Sequence, residues 1–196
     1  MKVLIGCEFS GVGRRAFRAV GCDAWSCDLL PAEDGSPYHI QGDVLGVLDQ
    51  GWDLLVGHPP CQHLSSSGAR WWAEKQADGR QQQAIEFFMA LANAPIDRVC
   101  LENPVGIMST KWQRPTQIVQ PYFWGDKATK TTCLWLKNLP KLVATDMVDK
   151  GERHITKSGR SLPKWYNLPP SPDRWKIRST TFSGIAKAMA DQWGQL

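Results

Sequence analysis

The 196-residue chain contains no Cys-x-x-Cys pair, no internal repeat and no apolar stretch approaching the length of a membrane span. Each absence removes a class of protein. The six cysteines, at 7, 22, 27, 61, 100 and 133, are scattered through apolar segments, which argues against a zinc site or a disulfide framework and for a reducing compartment. Met1 to Gly6 runs straight into a glycine-rich turn with no signal-peptide pattern, so the expectation is a cytoplasmic protein with no membrane partner and no metal. An excess of charge of one sign is also missing. A balance of 23 Lys and Arg against 19 Asp and Glu leaves +4, which is compatible with a polyanionic partner but short of a dedicated nucleic-acid binder. What is abundant is tryptophan. There are ten, several beside basic residues, as in Arg70-Trp71-Trp72 and Arg174-Trp175-Lys176. Such rings stack bases or cap a core, and core packing is the favoured reading.

The length suits one well-buried core, and the order of elements points to an α/β fold. Lys2 to Cys7 reads as a strand, Phe9-Ser10-Gly11-Val12-Gly13 as a turn, and Arg14 to Val20 as the helix it opens. A second strand over Ala24 to Cys27 ends at Asp28, about twenty residues after the glycines. A carboxylate at that place is positioned for ribose hydroxyls. Further strands are expected at Tyr38 to Gln41, ending in Gly42-Asp43-Val44, at Asp53 to Val56, and at Arg98 to Leu101, ending in Glu102-Asn103-Pro104. A helix is expected from about Asp78 to Ala92 and a closing helix from Ser183 to Trp193, each with an apolar stripe. Gln117 to Phe123 and Thr131 to Leu136, separated by Trp124-Gly125-Asp126, suggest a hairpin. Residues 138 to 178 hold little periodicity but a basic excess from Lys141, Lys150, Arg153, Lys157, Arg160, Lys164, Arg174, Lys176 and Arg178. They read as a small irregular lobe, either touching phosphates or simply solvated. The expected division is a core over 1–137, this basic region over 138–178, and a C-terminal helix over 179–196 that returns to the core.

The stretch with the most chemistry is Gly57-His58-Pro59-Pro60-Cys61-Gln62. It follows the apolar run 52–56 and so places Cys61 at a strand's carboxyl end, the edge where open α/β sheets bind ligands. A free cysteine is also a common structural residue, so this position alone leaves both readings open. Glu102 arrives at another strand end. A thiolate beside a carboxylic acid suits addition of sulfur to an electron-poor ring that the acid protonates, with Glu102 keeping its proton in a dry site and Asn103 orienting it. Pairing of Cys61 with His58 or His63 as a thiol hydrolase is the competing reading. It is disfavoured because neighbours on an extended chain point in different directions.

Gly57 to Gln62, followed by the serines 65 to 67 and Gly68, resembles the catalytic loop of the cytosine-C5 DNA methyltransferases. Other motifs agree in order. Phe9 to Gly13 resembles that family's first motif, Asp28 and Leu29 its second, Gly42-Asp43-Val44 its third, Glu102-Asn103-Pro104 its Glu-Asn-Val, and Phe182-Ser183-Gly184-Ile185-Ala186 its last. The resemblance implies a Rossmann-like sheet with helices on both faces and S-adenosylmethionine as methyl donor. The cofactor is expected against Phe9, Ser10, Gly11, Gly13, Asp28, Leu29, Asp43, Val44, Pro59, Gly184 and Ile185. Cys61 would attack C6 of a cytosine flipped out of DNA, Glu102 would engage N3, and C5 would take the methyl group. The chain also departs from the pattern. At the spacing of the family's Gln-x-Arg-x-Arg it has Ala128, Lys130 and Thr132, leaving Lys130 as the cation. Ile185 stands where asparagine is usual, and only 138–178 is available for target recognition. The resemblance therefore implies short or relaxed recognition, or recognition supplied by a separate subunit or a homo-oligomer. The alternatives are C5 methylation of a free deoxycytidine nucleotide or other pyrimidine, and a catalytically weak module that binds cofactor or DNA.

Overall fold

The computed structural model describes residues 1–163, 167–172, 174–179 and 181–196, with the side chain of Trp175 set aside. Lys164 and the Trp175 ring, invoked above, lie outside the described residues. In chain order the elements are β1 (Lys2–Gly6), α1 (Val12–Ala19), β2 (Asp23–Asp28), β3 (His39–Gln41), β4 (Leu54–Gly57), α2 (Trp72–Ala77), α3 (Arg80–Ala92), β5 (Arg98–Pro104), α4 (Met108–Lys111), β6 (Gln117–Val119), β7 (Thr132–Lys137), β8 (Arg153–Ile155), β9 (Ser161–Pro163), α5 (Arg174–Ser179) and α6 (Ser183–Trp193).

Seven strands form one sheet in the order β3-β2-β1-β4-β5-β7-β6, with the first five parallel and β7 antiparallel to both of its neighbours. The chain winds outward from β1 to β3, then returns to the other side of β1 with β4 and β5. The cleft between β1 and β4 is thus the topological switch point, where an open sheet leaves room for a ligand.

The central strands are near-continuous apolar runs because both of their faces are covered. Alternation along them divides the core in two. Val3, Ile5, Ala24, Leu54, Val56 and Cys100 face α1 and α6, whose Phe17, Met189 and Trp193 are buried against them. Leu4, Leu55, Val99, Leu101 and Trp135 face the other side, packed by Phe88 and Leu91 of α3 and Met108 of α4. The expected α/β sheet with helices on both faces is what is found.

Several local expectations are corrected. The helix expected from about Asp78 to Ala92 is α3, which starts at Arg80 after Gly79 at φ 81°, but a further helix, α2, precedes it unannounced. The serine-rich loop winds into a 3-10 turn over Ser66–Trp71, started by Ser65, whose Oγ accepts from Ser67 N. The basic stretch is less irregular than its composition suggests. It carries the antiparallel pair β8 and β9, closed by Thr156, whose backbone and hydroxyl bond Arg160, and then α5. Trp52, Trp124, Trp135 and Trp193 are core residues, whereas Trp71 is exposed on the turn after the loop that carries Cys61.

Candidate active site

The site is built at the carboxyl edge of β1, β4 and β5. Gly6 ends β1 and Cys7 turns the chain out of the sheet with φ 59°, a left-handed conformation rare for a residue with a Cβ. The next residue, Glu8, is buried and takes the first free N–H groups of α1, from Gly13 at 2.6 Å and Arg14 at 3.3 Å, with the Ser10 hydroxyl donating at 3.4 Å. In dinucleotide-binding folds these helix donors receive a pyrophosphate. Here a carboxylate of the chain occupies them and repels any anion.

The turn glycines serve the chain's own packing. A Cβ on Gly11, at φ 72°, would strike the Arg14 guanidinium, and one on Gly13 would crowd Ile5 and Glu8. Arg14 is almost fully buried beneath this turn, donating to Ser26 Oγ at 2.7 Å and to both Asp34 oxygens at 2.7 and 2.6 Å, with Arg15 on the same carboxylate at 2.7 Å. Phe9 and Ser10 face the cleft.

Asp28 and Asp43 sit where β2 and β3 end. Each fixes its own loop through one oxygen, to Leu30 N and Leu45 N, both at 3.0 Å. Burial, then the charges of Asp28 and Asp43, push the Cys27 thiol up to about 11, and the same causes drive Cys7 higher still. The carboxylates therefore act on the cleft at Cys7. Leu29 instead projects into solvent, and Val44 is a core residue against Gly6.

Cys61, Glu102, Asn103, Lys130, Phe9 and Arg178 line one cleft of about 160 Å³, with Pro59 in its wall. The parallel register pairs Gly57 with Leu101, so the next residue on each strand, His58 and Glu102, is level with the other. His58 Nδ1 lies 2.7 Å from Glu102 Oε2, and both side chains are only 13 % exposed. Burial opposes the charge on Glu102, but the His58 hydrogen bond and the Lys130 charge outweigh it and hold the carboxyl at about 2. His58 is raised: burial opposes its charge, and Glu102 overcomes that.

This corrects the expectation of a Glu102 that keeps its own proton, because dryness alone does not decide the protonation of a paired group. It also corrects the role given to Asn103. Its Nδ2 donates to Pro59 O at 2.7 Å, tying down the loop that carries Cys61, while its buried Oδ1 has no hydrogen-bond partner among the described residues. Glu102 is oriented by His58, a residue the sequence reading placed elsewhere. No local signal marks this pairing, because it depends on which strands are adjacent and on their register.

Partial enclosure and the Glu102 carboxylate push the Cys61 thiol up, against the pull of Lys130 and Arg178. His63 is turned toward Gln62 Nε2 at 3.1 Å and His58 is engaged with Glu102, so the Cys-His hydrolase arrangement is not assembled among the described residues. Lys130 reaches the cleft from the loop before β7, where buried Thr132 donates its hydroxyl to Lys130 O at 3.1 Å and fixes the bend.

The C-terminal segment returns to the site through Arg178, Ser179 and Thr181. Lys176 pairs with Glu33 and lies 5.9 Å from the Phe9 ring centre. Gly184 and Ile185 do other work. Gly184 N donates to Asp126 Oδ2 at 2.8 Å, and Ile185 is buried in the core. Beside Cys61 a wider groove of about 710 Å³ runs between Ser65–Ser67 and the β8–β9 pair, with Lys130, Arg153 and Arg178 on its walls. No helix among the described residues is long and apolar enough to cross a membrane.

No protein-family profile and no curated sequence matches the chain. Among solved structures it is similar to a protein described as a DNA modification methyltransferase encoded within a prophage (E. coli). The identity is 21 %, the TM-score 0.46, and the match covers 69 % of this chain and 46 % of that one. It is also similar to MtNAS in complex with MTA and tNA, at 16 % identity and TM-score 0.36, over 71 % of this chain and 53 % of that one. The chain thus matches about half the length of each.

Proposed function

We propose that the protein transfers a methyl group from S-adenosylmethionine to C5 of cytosine in DNA, through a covalent adduct between Cys61 and C6. The observation that carries this reading is the meeting of Cys61 and Glu102 in one cleft at the switch point of the sheet, beside an edge lined by carboxylates. The donor set fits the cofactor. Glu8 closes the α1 N-terminus to phosphate, which disfavours a dinucleotide, while Asp28 and Asp43 offer acceptors to hydroxyl, amine and ammonium groups. S-adenosylmethionine supplies an electrophilic methyl group when bound.

The chain's own residues do the rest. Phe9 and Ser10 wall the cofactor side, and Asp28 and Asp43 hold the nucleoside. Cys61 attacks the ring from the loop that Asn103 anchors, and Glu102 engages N3. Lys130 supplies positive charge on the far side in place of the arginines of the resembled family. Residues 138–178 act as a reduced DNA-contacting region. DNA rather than a free nucleotide is favoured by the width and basic walls of the groove beside Cys61, which exceeds what one base requires.

The test is incubation with methyl-labelled S-adenosylmethionine and unmodified DNA. Label is expected in 5-methylcytosine, with a trapped adduct on DNA carrying 5-fluorocytosine. Cys61→Ser should lower turnover by at least about a thousandfold while cofactor binding persists. Label appearing faster on free deoxycytidine nucleotide than on DNA would reassign the acceptor, and binding without transfer to either would leave a binding module.

A further inference from the structure

Glu102 poses a chemical difficulty for the reaction just proposed. Addition of the Cys61 sulfur to C6 of a cytosine displaces an electron pair toward N3, and N3 must receive a proton as that bond forms. A lone ionised carboxylate cannot supply one. The neighbour that can is His58. Its Nδ1 is 2.7 Å from Glu102 Oε2, the two are equally enclosed, and the β4–β5 register sets them level.

We propose that His58 is a positioning residue that stores, on Nδ1, the proton that Glu102 delivers to the ring nitrogen of the base. The inference rests on the methyltransferase reading, because it assigns the proton to N3. In the resting pair His58 is protonated and Glu102 ionised, joined by the Nδ1–H···Oε2 hydrogen bond. Cys61 first loses its thiol proton to solvent; when its thiolate forms the S–C6 bond, the proton passes from His58 Nδ1 through the Glu102 carboxyl to N3. The adduct is then neutral, His58 is neutral and Glu102 is again ionised. After C5 has taken the methyl group, loss of the C5 proton to water and departure of the Cys61 thiolate restore the C5=C6 bond, and the N3 proton returns to the pair.

The surroundings agree with this assignment. The charged and titratable groups facing His58 are Glu102 on β5, Glu8 on the loop after β1 and Lys130 before β7, with Cys7, Cys61 and Arg178 on the same cleft. Glu102 and Glu8 favour the imidazolium and Lys130 opposes it, and the outcome is a His58 raised above its ordinary value. Cationic His58 also offsets the charge of a carboxylate enclosed in a dry site. The arrangement fits a proton held for use better than a structural tie, since a neutral amide donor would have anchored Glu102 without any titratable group.

Two measurements test the proposal. The first needs no substrate. The His58 ring is followed by NMR through a pH titration of the free protein, and its midpoint is expected above 6.5 and to fall below 6.5 in Glu102→Gln, where burial and Lys130 oppose the charge and only Glu8 still favours it. The second compares the pH dependence of kcat for the native protein and His58→Asn, whose amide can still donate a hydrogen bond near the Nδ1 position but cannot release a proton. The limb set by the pair is expected to move to lower pH in His58→Asn, with kcat reduced about a hundredfold and cofactor binding retained. An unchanged pH profile and full kcat in His58→Asn would overturn the proposal, as would a His58 midpoint indifferent to Glu102→Gln. If the titration behaves as expected but no DNA is methylated, the pair stands and the methyltransferase reading is what fails.

Discussion

A single buried carboxylate with two possible partners shows how much a site depends on which residue is nearest. Glu102 lies within reach of Lys130 by charge, yet its conformation is fixed by a 2.7 Å bond to His58. This has a consequence for stability. The folded carboxyl titrates at about 2 against an ordinary 4.5, so its contribution is complete above about pH 4.5 and is lost as pH falls toward 2. For His58 the folded value is raised, so its contribution is complete below its ordinary 6.5 and disappears as pH climbs through the folded value. Replacing Glu102 by Gln should therefore flatten the decline in urea stability between pH 4.5 and 2, measured against the native chain. The sequence made the polar groups visible here but not their pairing. Cys61 and Glu102 were legible because each follows an apolar strand at its carboxyl end. The partnership of His58 was not, because it depends on strand adjacency and on a register that no local pattern displays. Val44 and Ile185 were assigned to the cofactor by resemblance, and the structure uses them as core.

Among the elements, the loop that carries Cys61 is held by a close approach between two backbones. Leu64 O accepts from Ile107 N at 2.9 Å, Val105 O from Ser66 N at 2.9 Å, and Ser65 forms an isolated bridge with Gly106. A Cβ on Gly106 would collide with Leu64 O, which is backbone and cannot rotate away. Gly106→Ala is therefore expected to displace the loop carrying Cys61, at a cost of about 1–3 kcal/mol in urea unfolding and a larger loss in kcat than in cofactor affinity. Element identity was well signalled by the sequence: the four apolar parallel strands, α6 and the antiparallel β6–β7 arrangement all fall close to where periodicity put them. The elements it missed are short ones: α2, α4 and those of the basic stretch, where three-residue strands leave too little pattern to detect. The antiparallel run of β7 matters for the site. Its amino end lies at the carboxyl edge of β5, opposite Pro104, and that is what brings Lys130 to Glu102.

Over the whole molecule, the modest net charge of +4 conceals a local concentration. Lys130, Arg153 and Arg178 share one groove beside Cys61, whereas the β1 to β3 edge presents Glu8, Asp28 and Asp43. Such a division suits a cationic small ligand on one side and a polyanion on the other. Arg153 is oriented by Ser161, through Oγ at 2.6 Å and O at 2.8 Å, without an acidic partner in those bonds. Arg153→Ala should weaken DNA binding similarly across sequences and reduce the slope of log affinity against log salt by about 1, read from titrations at several salt concentrations.

The packing of α6 against α1 carries a last consequence, for the order in which this molecule can be completed. Val3, Ile5 and Ala24 precede α6 by more than 150 residues, yet the face they present is sealed by Met189 and the fully enclosed Trp193. At ordinary translation speeds about ten to forty seconds separate the emergence of that apolar face from the arrival of its cover. During that interval the face has the cover of α1, through Phe17, and lacks the cover that α6 gives it in the folded chain.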